Sequence, residues 1–244
     1  MNVAHGAGPG GLAVPDEVHR RRPGAPGARV RRSWDRPADH ATISQLGRLQ
    51  TGVIGDAMHR LGAMNATIAP MWAGAALAGP ALTVWVRAGD NAVIHQAIAL
   101  AEPGDVLVIN AQGSLTHAVF GELMALACLA RGVPGVIVDG AVRDAQSLAD
   151  LNFPVFACGS CPSGPAKEGT GEIGYPVACG GVACAVGDVV IADADGVVVV
   201  PASDAGAVLR QAEAIGLWEG QQRAALTGLG RVNDQRTPAG SDGR

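Results

Sequence analysis

The sequence has almost no amines, few aromatic rings and no long apolar segment, and these shortages exclude several classes of protein. Lys167 is the single lysine among 244 residues, so a mechanism that needs a Schiff base has one candidate side chain. No apolar run approaches the roughly 18 residues that a membrane helix needs. The Arg-, Pro- and Gly-rich start of the chain lacks the apolar segment of a signal peptide. Five cysteines, an odd number in a chain long enough to bury a large core, predict a reducing cytoplasm rather than a disulfide framework.

Charge divides the chain into a basic N-terminal segment and an acidic remainder. Seven of the 18 basic side chains and three of the 22 acidic ones fall in residues 1–37, which leaves 11 basic and 19 acidic side chains in the rest. Residues 1–37 have too little apolar surface to offset chain entropy, so we expect a disordered basic extension there. The acidic body disfavours nucleic acid as a partner, because phosphate binding needs a clustered basic surface. We expect one domain at residues 38–229 and a frayed tail at residues 230–244.

The hydrophobic pattern between these ends is that of a mixed α/β domain. Short β-branched runs bounded by Gly, Pro and Asp predict buried strands, and longer runs with helical spacing predict helices. Two strands begin with similar short sequences, at residues 104–109 and 187–191, which hints at internal pseudo-symmetry. The predicted strands are residues 76–86, 106–110, 136–139, 189–192 and 197–200, and the predicted helices are residues 42–61, 92–101, 145–151 and 203–226, besides the one described next.

The most informative segment is residues 118–148, which has the pattern of a helix, a strand and a second helix. The first helix begins near Glu122 and ends before Gly132, with apolar residues at helical spacing between them. The strand follows, and Arg143 and Asp144 open the next helix. Because ligands of open α/β sheets bind at the carboxyl edge, we expect the start of the first helix and the Arg143–Asp144 pair to converge there.

These residues have the chemistry of a site for a small keto acid. Arg143 offers a planar fork for a carboxylate, and Asp144 offers an oxygen ligand for a hard cation. The free N–H groups of Leu123 and Met124, in the first turn of the helix, form an anion site. A structural interpretation is also open, with Asp144 as the N-cap of its helix, Arg143 in an ion pair, and Glu122 as a favourable acid at a helix start.

The chain resembles the RraA-like superfamily in three segments that follow in order between Thr42 and Pro201. They are GDVLVIN, FGELMALACLARGVPGVIVDGAVRD and KEGTGEIGYPVACGGVACAVGDVVIADADGVVVVP, of which GAVRD and DADGVVVVP are the most specific parts. Within the superfamily the chain is most similar to the 4-hydroxy-4-methyl-2-oxoglutarate / 4-carboxy-4-hydroxy-2-oxoadipate aldolases. The resemblance implies a compact swivelling α/β/β-type domain and a class II pyruvate aldolase. Such an enzyme uses Mg²⁺ or Mn²⁺, takes a small 2-oxo acid as substrate, and also decarboxylates oxaloacetate.

Carried onto this sequence, the resemblance assigns a role to each candidate residue. Asp144 is the metal ligand, and Arg143 is a catalytic residue that also binds substrate. Glu122 stands where the family has an acidic residue, typically Asp, that orients the water which takes the proton from the C4 hydroxyl. The longer Glu side chain is a departure that would shift this water. The backbone amides of Leu123 and Met124 bind the substrate carboxylate.

The resemblance also implies a homotrimer or homohexamer with active sites between subunits. Glu219, in the C-terminal helix, matches a Glu by which a neighbouring subunit supports the water shell of the metal. The alternative function is that of an RraA-type regulator, which binds a ribonuclease without catalysis. The full set of acidic and basic residues just named favours the enzyme, because a regulator does not need it.

The segment around Lys167 bears on mechanism and on substrate choice. Residues 163–171 are polar and rich in Gly and Pro, unlike the apolar setting of a Schiff-base lysine, which favours metal chemistry. Within this segment, residues 163–167 are candidates for selecting the C4 substituent of the substrate. Two motif-like patterns carry no function, because Gly169-x-Gly171-x-x-Gly174 opens no helix and the Cys158/Cys161 pair has no partner at zinc-finger spacing.

Overall fold

Eleven strands and six helices form the part of the chain that this computed structural model describes, residues 27–31 and 33–234, with side chains as far as residue 227. The strands are β1 (Arg29–Val30), β2 (Ala69–Pro70), β3 (Leu77–Val86), β4 (Val106–Phe120), β5 (Val136–Val142), β6 (Val155–Ser160), β7 (Gly171–Ile173), β8 (Val177–Cys179), β9 (Val182–Cys184), β10 (Val189–Asp193) and β11 (Gly196–Val200). The helices are α1 (His40–Leu46), α2 (Thr51–Ala57), α3 (Ala92–Leu100), α4 (Glu122–Ala130), α5 (Ala145–Asp150) and α6 (Ala205–Asp234).

The main sheet has the strand order β1-β7-β3-β4-β5-β6-β2, and its central strands β3 to β6 are parallel. Strand β4 places Leu107 and Ile109 in one apolar cluster and Val106 and Val108 in another, on the opposite face. A strand covered on both faces has a continuous apolar sequence, which is why this run predicts a buried strand. Strand β10 pairs antiparallel with both β11 and the first half of β3, which attaches a hairpin to the sheet.

Three apolar clusters lie between four layers of structure. Helices α3, α4 and α5 cover one face of the main sheet, and the hairpins β8–β9 and β10–β11 cover the other. Helices α1, α2 and α6 pack on the outer face of β10–β11. The prediction of a single mixed α/β domain is therefore confirmed. Among the described residues, no helix has both the length and the apolar character to cross a membrane.

Residues 42–61 differ from the single helical region that the sequence predicts. Helix α1 ends at Gly47, where the chain lies so close to Ala78 that a Cβ on the glycine would be 2.7 Å from the Ala78 Cβ. Helix α2 starts again at Thr51 because Asp193, from the end of β10, accepts both the Thr51 N–H at 2.8 Å and its hydroxyl at 2.6 Å. A distant carboxylate thus caps a new helix, and no local pattern encodes that contact.

Both predicted ends of the domain also need correction. The segment predicted as a disordered extension contributes β1, which pairs parallel with β7, and Arg36, which binds Asp105. Residues 27–31 and 33–37 therefore belong to the domain, whereas residues 1–26 and 32 lie outside the described part. Helix α6 continues to Asp234, beyond the predicted residue 226 and into the predicted tail. The rest of that tail, residues 235–244, also lies outside the described part.

Candidate functional site

The candidate site lies at the carboxyl edge of the main sheet, where β3, β4, β5 and β6 end beside one another. Backbone hydrogen bonds connect the strand ends, since the Arg143 N–H donates to Phe120 O at 3.0 Å and the Cys161 N–H donates to Val142 O at 2.9 Å. The start of α4 and the Arg143–Asp144 pair therefore meet, as the sequence predicts. Strand β4 reaches this edge by continuing ten residues beyond the predicted Asn110, through several shifts of register against β5.

Asp144 links the two segments directly. Its Oδ2 accepts the backbone N–H of Glu122 at 3.1 Å, at the first residue of α4. The Asp144 backbone is left-handed, with φ 60° and ψ 35°, a conformation that Asp adopts more readily than most residues. Its carboxylate makes no capping hydrogen bond to α5. Asp144 is therefore the N-cap residue of α5 by position, and its backbone C=O accepts the Leu148 N–H at 3.0 Å, but its side chain caps the neighbouring helix α4 instead.

Gly121 makes this approach possible. A Cβ on Gly121 would lie 2.6 Å from Asp144 Oδ2 and 3.0 Å from Arg143 Cγ. Both distances are too short for a side chain, so the junction between β4 and α4 needs glycine for both charged residues to lie over the helix start. Gly121 is a residue of the site that the sequence pattern alone does not single out. The available signal is a glycine at the point where a buried strand turns into a helix.

The Arg143 guanidinium forms only a loose ion pair with Asp144, on the other side of which α4 begins at Glu122. The Arg143 side chain is 44% exposed, and its Nε lies 3.4 Å from Asp144 Oδ2, longer than a bidentate pair. Within the described part of the chain, Asp144 is the only acid at ion-pair distance from this guanidinium. Glu122 is half-buried in the first turn of α4. The guanidinium thus keeps donors for an anion from outside the chain.

The two backbone amides proposed for substrate binding differ. Leu123 is 76% exposed, and its N–H has no hydrogen-bond partner among the described residues. The Met124 N–H donates to Gly121 O at 3.1 Å, and its side chain is buried at 5% exposure. The prediction of two free amides needs correction, because the first turn of α4 tightens and uses the second one internally.

Glu219 does not reach this edge within one chain. Helix α6 packs against α1 and α2, in the layer on the opposite side of the molecule from α4. Beyond Ala212, no residue of α6 as far as residue 227 is buried. Three large apolar side chains in this projecting half, Leu217, Trp218 and Leu226, are exposed.

The acidic residues at the edge suit a hard cation that keeps most of its water. No cluster of three or more His, Cys, Asp or Glu side chains in the described part of the chain is placed to hold a metal ion. Mg²⁺ is commonly bound through one or two carboxylates, with water and substrate as the other ligands. Asp144 is 36% exposed, and one of its oxygens makes no hydrogen bond among the described residues. Asp144 therefore has the chemistry of a ligand for such a hydrated cation.

Two of the cysteines near the sheet, Cys128 and Cys158, favour the neutral thiol. All five are free thiols. Burial, with the Asp139 carboxylate at 3.4 Å, raises the pKa of Cys158 to about 11, and burial raises that of Cys128 to about 12. Because the thiolate is the reactive form, these side chains are inert at neutral pH.

Comparisons with known proteins agree on the family. The RraA-like family, described as Aldolase/RraA, matches residues 51–199. A relative from Halalkalibacterium halodurans, named "Putative 4-hydroxy-4-methyl-2-oxoglutarate aldolase", is 39% identical over 171 residues, which are 70% of this chain and 81% of the relative. The solved structure of Streptomyces coelicolor RraAS2, described as an unusual member of the RNase ES inhibitor RraA protein family, is 29% identical with a TM-score of 0.70. That similarity covers 77% of this chain and 99% of the other.

A second solved structure has a similar fold. An uncharacterized protein from Pseudomonas syringae pv. tomato is 26% identical with a TM-score of 0.73, over 80% of this chain and 93% of its own. The family match spans more than half of the chain and includes the strand ends that carry Glu122, Arg143 and Asp144. The chain therefore belongs to the RraA-like family.

Proposed function

We propose that this protein is a divalent-metal-dependent lyase that cleaves a 4-hydroxy-2-oxo dicarboxylic or tricarboxylic acid to pyruvate and a second keto acid. Decarboxylation of oxaloacetate is the proposed side activity. The observation that carries the proposal is the hydrogen bond from the Glu122 N–H to Asp144 Oδ2, which joins the Asp144 carboxylate, and with it the neighbouring Arg143 guanidinium, to the start of α4. The aldolase name of the relative from Halalkalibacterium halodurans supports it.

The pyruvyl end of the substrate would be bound by groups of the chain itself. The Arg143 guanidinium offers parallel N–H donors to a carboxylate or keto oxygen. The free Leu123 N–H, at the positive end of α4, offers a further donor to an anionic oxygen. The Arg143 guanidinium follows β5 and the Leu123 N–H follows β4. Because these strands are parallel neighbours, a small keto acid could contact both groups.

The same residues would support cleavage of the C3–C4 bond. Asp144 would hold the divalent cation, which would supply Lewis-acid stabilisation of negative charge on the substrate. Arg143 adds a fixed positive charge beside the keto oxygen. Glu122 orients the water that receives the proton of the C4 hydroxyl. Loss of CO₂ from oxaloacetate develops the same charge and needs no acceptor for a hydroxyl proton.

We propose that Glu219 completes the site of a neighbouring subunit in a homotrimer or homohexamer. Support comes from two apolar faces that the single chain leaves exposed, one on the projecting half of α6 and one on α4, where Leu123, Leu126 and Leu129 are exposed. Mixing inactive Asp144→Asn and Glu219→Gln proteins under subunit exchange should restore part of the activity, because some shared sites then hold both intact residues. No recovery would refute the shared site.

The first experiment couples pyruvate release to lactate dehydrogenase. Oxaloacetate and a 4-carboxy-4-hydroxy-2-oxo acid are supplied with Mg²⁺ and then with EDTA, and Mg²⁺ without protein corrects for uncatalysed decarboxylation. Turnover should need both the metal and Asp144, so Asp144→Asn should abolish it. Asp150→Asn, which changes an exposed acid on the same short helix α5, is the matched control and should retain full activity. No pyruvate from either compound, with folded and metal-supplied protein, would refute the lyase proposal.

The second candidate function is that of an RraA-type regulator that binds a ribonuclease. The likeness to RraAS2 over 77% of this chain favours it, because that protein is described as a member of an RNase inhibitor family. A regulator would inhibit a ribonuclease equally well with Asp144→Asn, and a lyase would lose its turnover with that change.

A further inference from the structure

Asp90 follows β3 at the same sheet edge, and the chain uses its carboxylate fully. The residue is 4% exposed. Its Oδ1 accepts the Ala92 N–H at 2.9 Å, at the start of α3, as a capping residue does. Its Oδ2 accepts the N–H groups of Glu168 at 2.8 Å and Gly169 at 2.9 Å, which lie 78 and 79 residues later in the chain. One carboxylate therefore joins the start of a helix to a distant loop.

That loop, residues 163–169, is called the site loop here because it runs along the carboxyl edge. Three backbone bonds fix it, from Ala166 N–H to Gly89 O at 2.8 Å, from Asn91 N–H to Ala166 O at 3.1 Å and from Ala118 N–H to Ser163 O at 2.8 Å. Most of its residues are exposed, so little apolar burial holds it. The charge-assisted bonds to Asp90 are accordingly a large part of what keeps the loop in place.

The site loop passes close to the Arg143 side chain. A Cβ on Gly164 would lie 3.4 Å from Arg143 Nη1, so the loop backbone bounds the space that the guanidinium can occupy. At its other end, Gly169 has φ +27°, and a Cβ there would lie 2.5 Å from the Ala92 Cβ. The loop thus docks on α3 too closely for any residue but glycine at that point.

We infer that Asp90 is a positioning residue: it holds the site loop against the start of α3, and the loop in turn holds the Arg143 guanidinium ready to bind a carboxylate. This inference rests on the proposed function, because it concerns the binding of a 2-oxo acid by Arg143. Asp90 itself contacts no substrate. Its effect travels through the loop backbone, so it should vanish when Arg143 is absent.

The test measures binding of oxalate, a planar dicarboxylate that resembles the enolate of pyruvate, to the Mg²⁺-supplied protein by calorimetry. Asp90→Asn keeps the shape of the side chain but weakens its bonds to the loop, and oxalate should bind about 10-fold more weakly, the size of effect that loss of a supporting group typically has. Gly169→Ala, which disturbs the same docking from the loop side, should have a similar effect. In an Arg143→Ala background, Asp90→Asn should weaken binding no further.

Hydrogen exchange provides a readout that is independent of ligand. The amides of Glu168 and Gly169 should lose protection in Asp90→Asn. Asp188→Asn is the matched control, since Asp188 also accepts two backbone N–H groups, from Ala185 at 2.8 Å and Ala202 at 3.1 Å, but at the start of β10. It should leave both oxalate binding and the protection of the site loop unchanged.

Three results would overturn the inference while leaving the proposed function intact. They are equal weakening by Asp90→Asn with and without Arg143, unchanged protection of the site loop in Asp90→Asn, and the same loss of oxalate binding in Asp188→Asn. If Asp90→Asn does not fold, Gly169→Ala takes its place: its effect on oxalate binding is measured with and without Arg143→Ala. Failure of the unaltered protein to bind oxalate with Mg²⁺ would count against the proposed function itself and would remove the inference with it.

Discussion

Two carboxylates at opposite ends of the parallel sheet, Asp105 and Asp144, differ in how many of their possible hydrogen bonds are made within the chain. At the amino end, Asp105 is 1% exposed and accepts two bonds from Arg36, at 2.8 and 2.7 Å, and the Glu102 N–H at 2.9 Å. At the carboxyl end, Asp144 is 36% exposed and has one backbone N–H and a looser contact with Arg143 at 3.4 Å. A buried carboxylate whose oxygens are all hydrogen-bonded within the chain has a structural role. A partly exposed carboxylate with a free oxygen can bind a ligand.

Hydrogen bonding of an aspartate to nearby backbone N–H groups also explains the repeated sequence at residues 104–109 and 187–191. Asp105 and Asp188 each follow a glycine of positive φ and bind backbone N–H groups at the start of a strand. The two strands then pair with β3 in opposite senses, β4 parallel and β10 antiparallel. The repeated sequence therefore encodes the same local turn at the starts of two strands that pair differently.

The largest effect is expected from Arg143→Lys, which tests the open end of the sheet. Lysine keeps the charge but loses the planar pair of N–H donors. The value of kcat/KM for oxaloacetate should therefore fall about 100- to 1000-fold, as removal of one hydrogen-bond donor to the transition state commonly causes. The thermal midpoint should stay constant, because the side chain is largely exposed and loosely paired. Arg36→Lys is the matched control: it should lower the thermal midpoint and leave kcat/KM for oxaloacetate unchanged. If Arg143→Lys and Arg36→Lys lowered the thermal midpoint equally, the proposed difference between the two ends of the sheet would be contradicted.

Asp105→Asn tests the closed end and should have the next largest effect. The substitution breaks the bidentate pair with Arg36, which keeps only Glu102 at 3.0 Å as an acidic partner, so the free energy of unfolding should fall by about 2 kcal/mol, the scale of a broken buried polar contact. The measurement is urea denaturation followed by circular dichroism. Turnover per folded molecule should be unchanged, and a selective loss of kcat in the folded fraction would assign Asp105 to the site.

Gly121→Ala sharpens the comparison at the junction of β4 and α4. The new methyl group would have to displace Asp144 Oδ2, 2.6 Å away, or the Arg143 stem at 3.0 Å. Small displacements of reacting groups have large kinetic effects, so kcat/KM should fall about 10-fold with little change in the thermal midpoint. Gly52→Ala is the control, since a Cβ at that position meets nothing within 4 Å. A full-rate Gly121→Ala enzyme would show that the close approach is dispensable.

The smallest effect is expected from the thiol–carboxylate pair in the middle of the sheet. Because burial and Asp139 raise the pKa of Cys158 to about 11, the fold favours the neutral thiol. That contribution is complete below the ordinary value of 9.0 and is lost as the pH rises from 9.0 towards 11. Cys158→Ala should flatten the decline in the free energy of unfolding across this window by about 1 kcal/mol, a value reduced because the thiol is only partly buried. An identical pH profile would contradict this.

The sequence predicts the strand ends well and the long-range contacts poorly. Glu122, Arg143 and Asp144 are found because each directly follows a strand or opens a helix, and parallel strand ends share an edge. Asp90 is missed because its partners at residues 168–169 are far along the chain and carry no recognisable pattern. Strand β1 is missed because two residues in an Arg-rich segment have no periodicity, and only the pairing with β7 makes them a strand.

The sequence separation of these closing contacts sets the order in which the molecule can assemble. Thr51 needs Asp193, 142 residues later, and Asp90 needs Gly169, 79 residues later. Pairing of such distant segments loses chain entropy before it gains contacts, which makes folding slow, in the range of milliseconds to seconds. During synthesis, the edge that holds Arg143 and Asp144 stays incomplete until residue 169 has emerged from the ribosome, and helix α2 stays uncapped until residue 193 has followed.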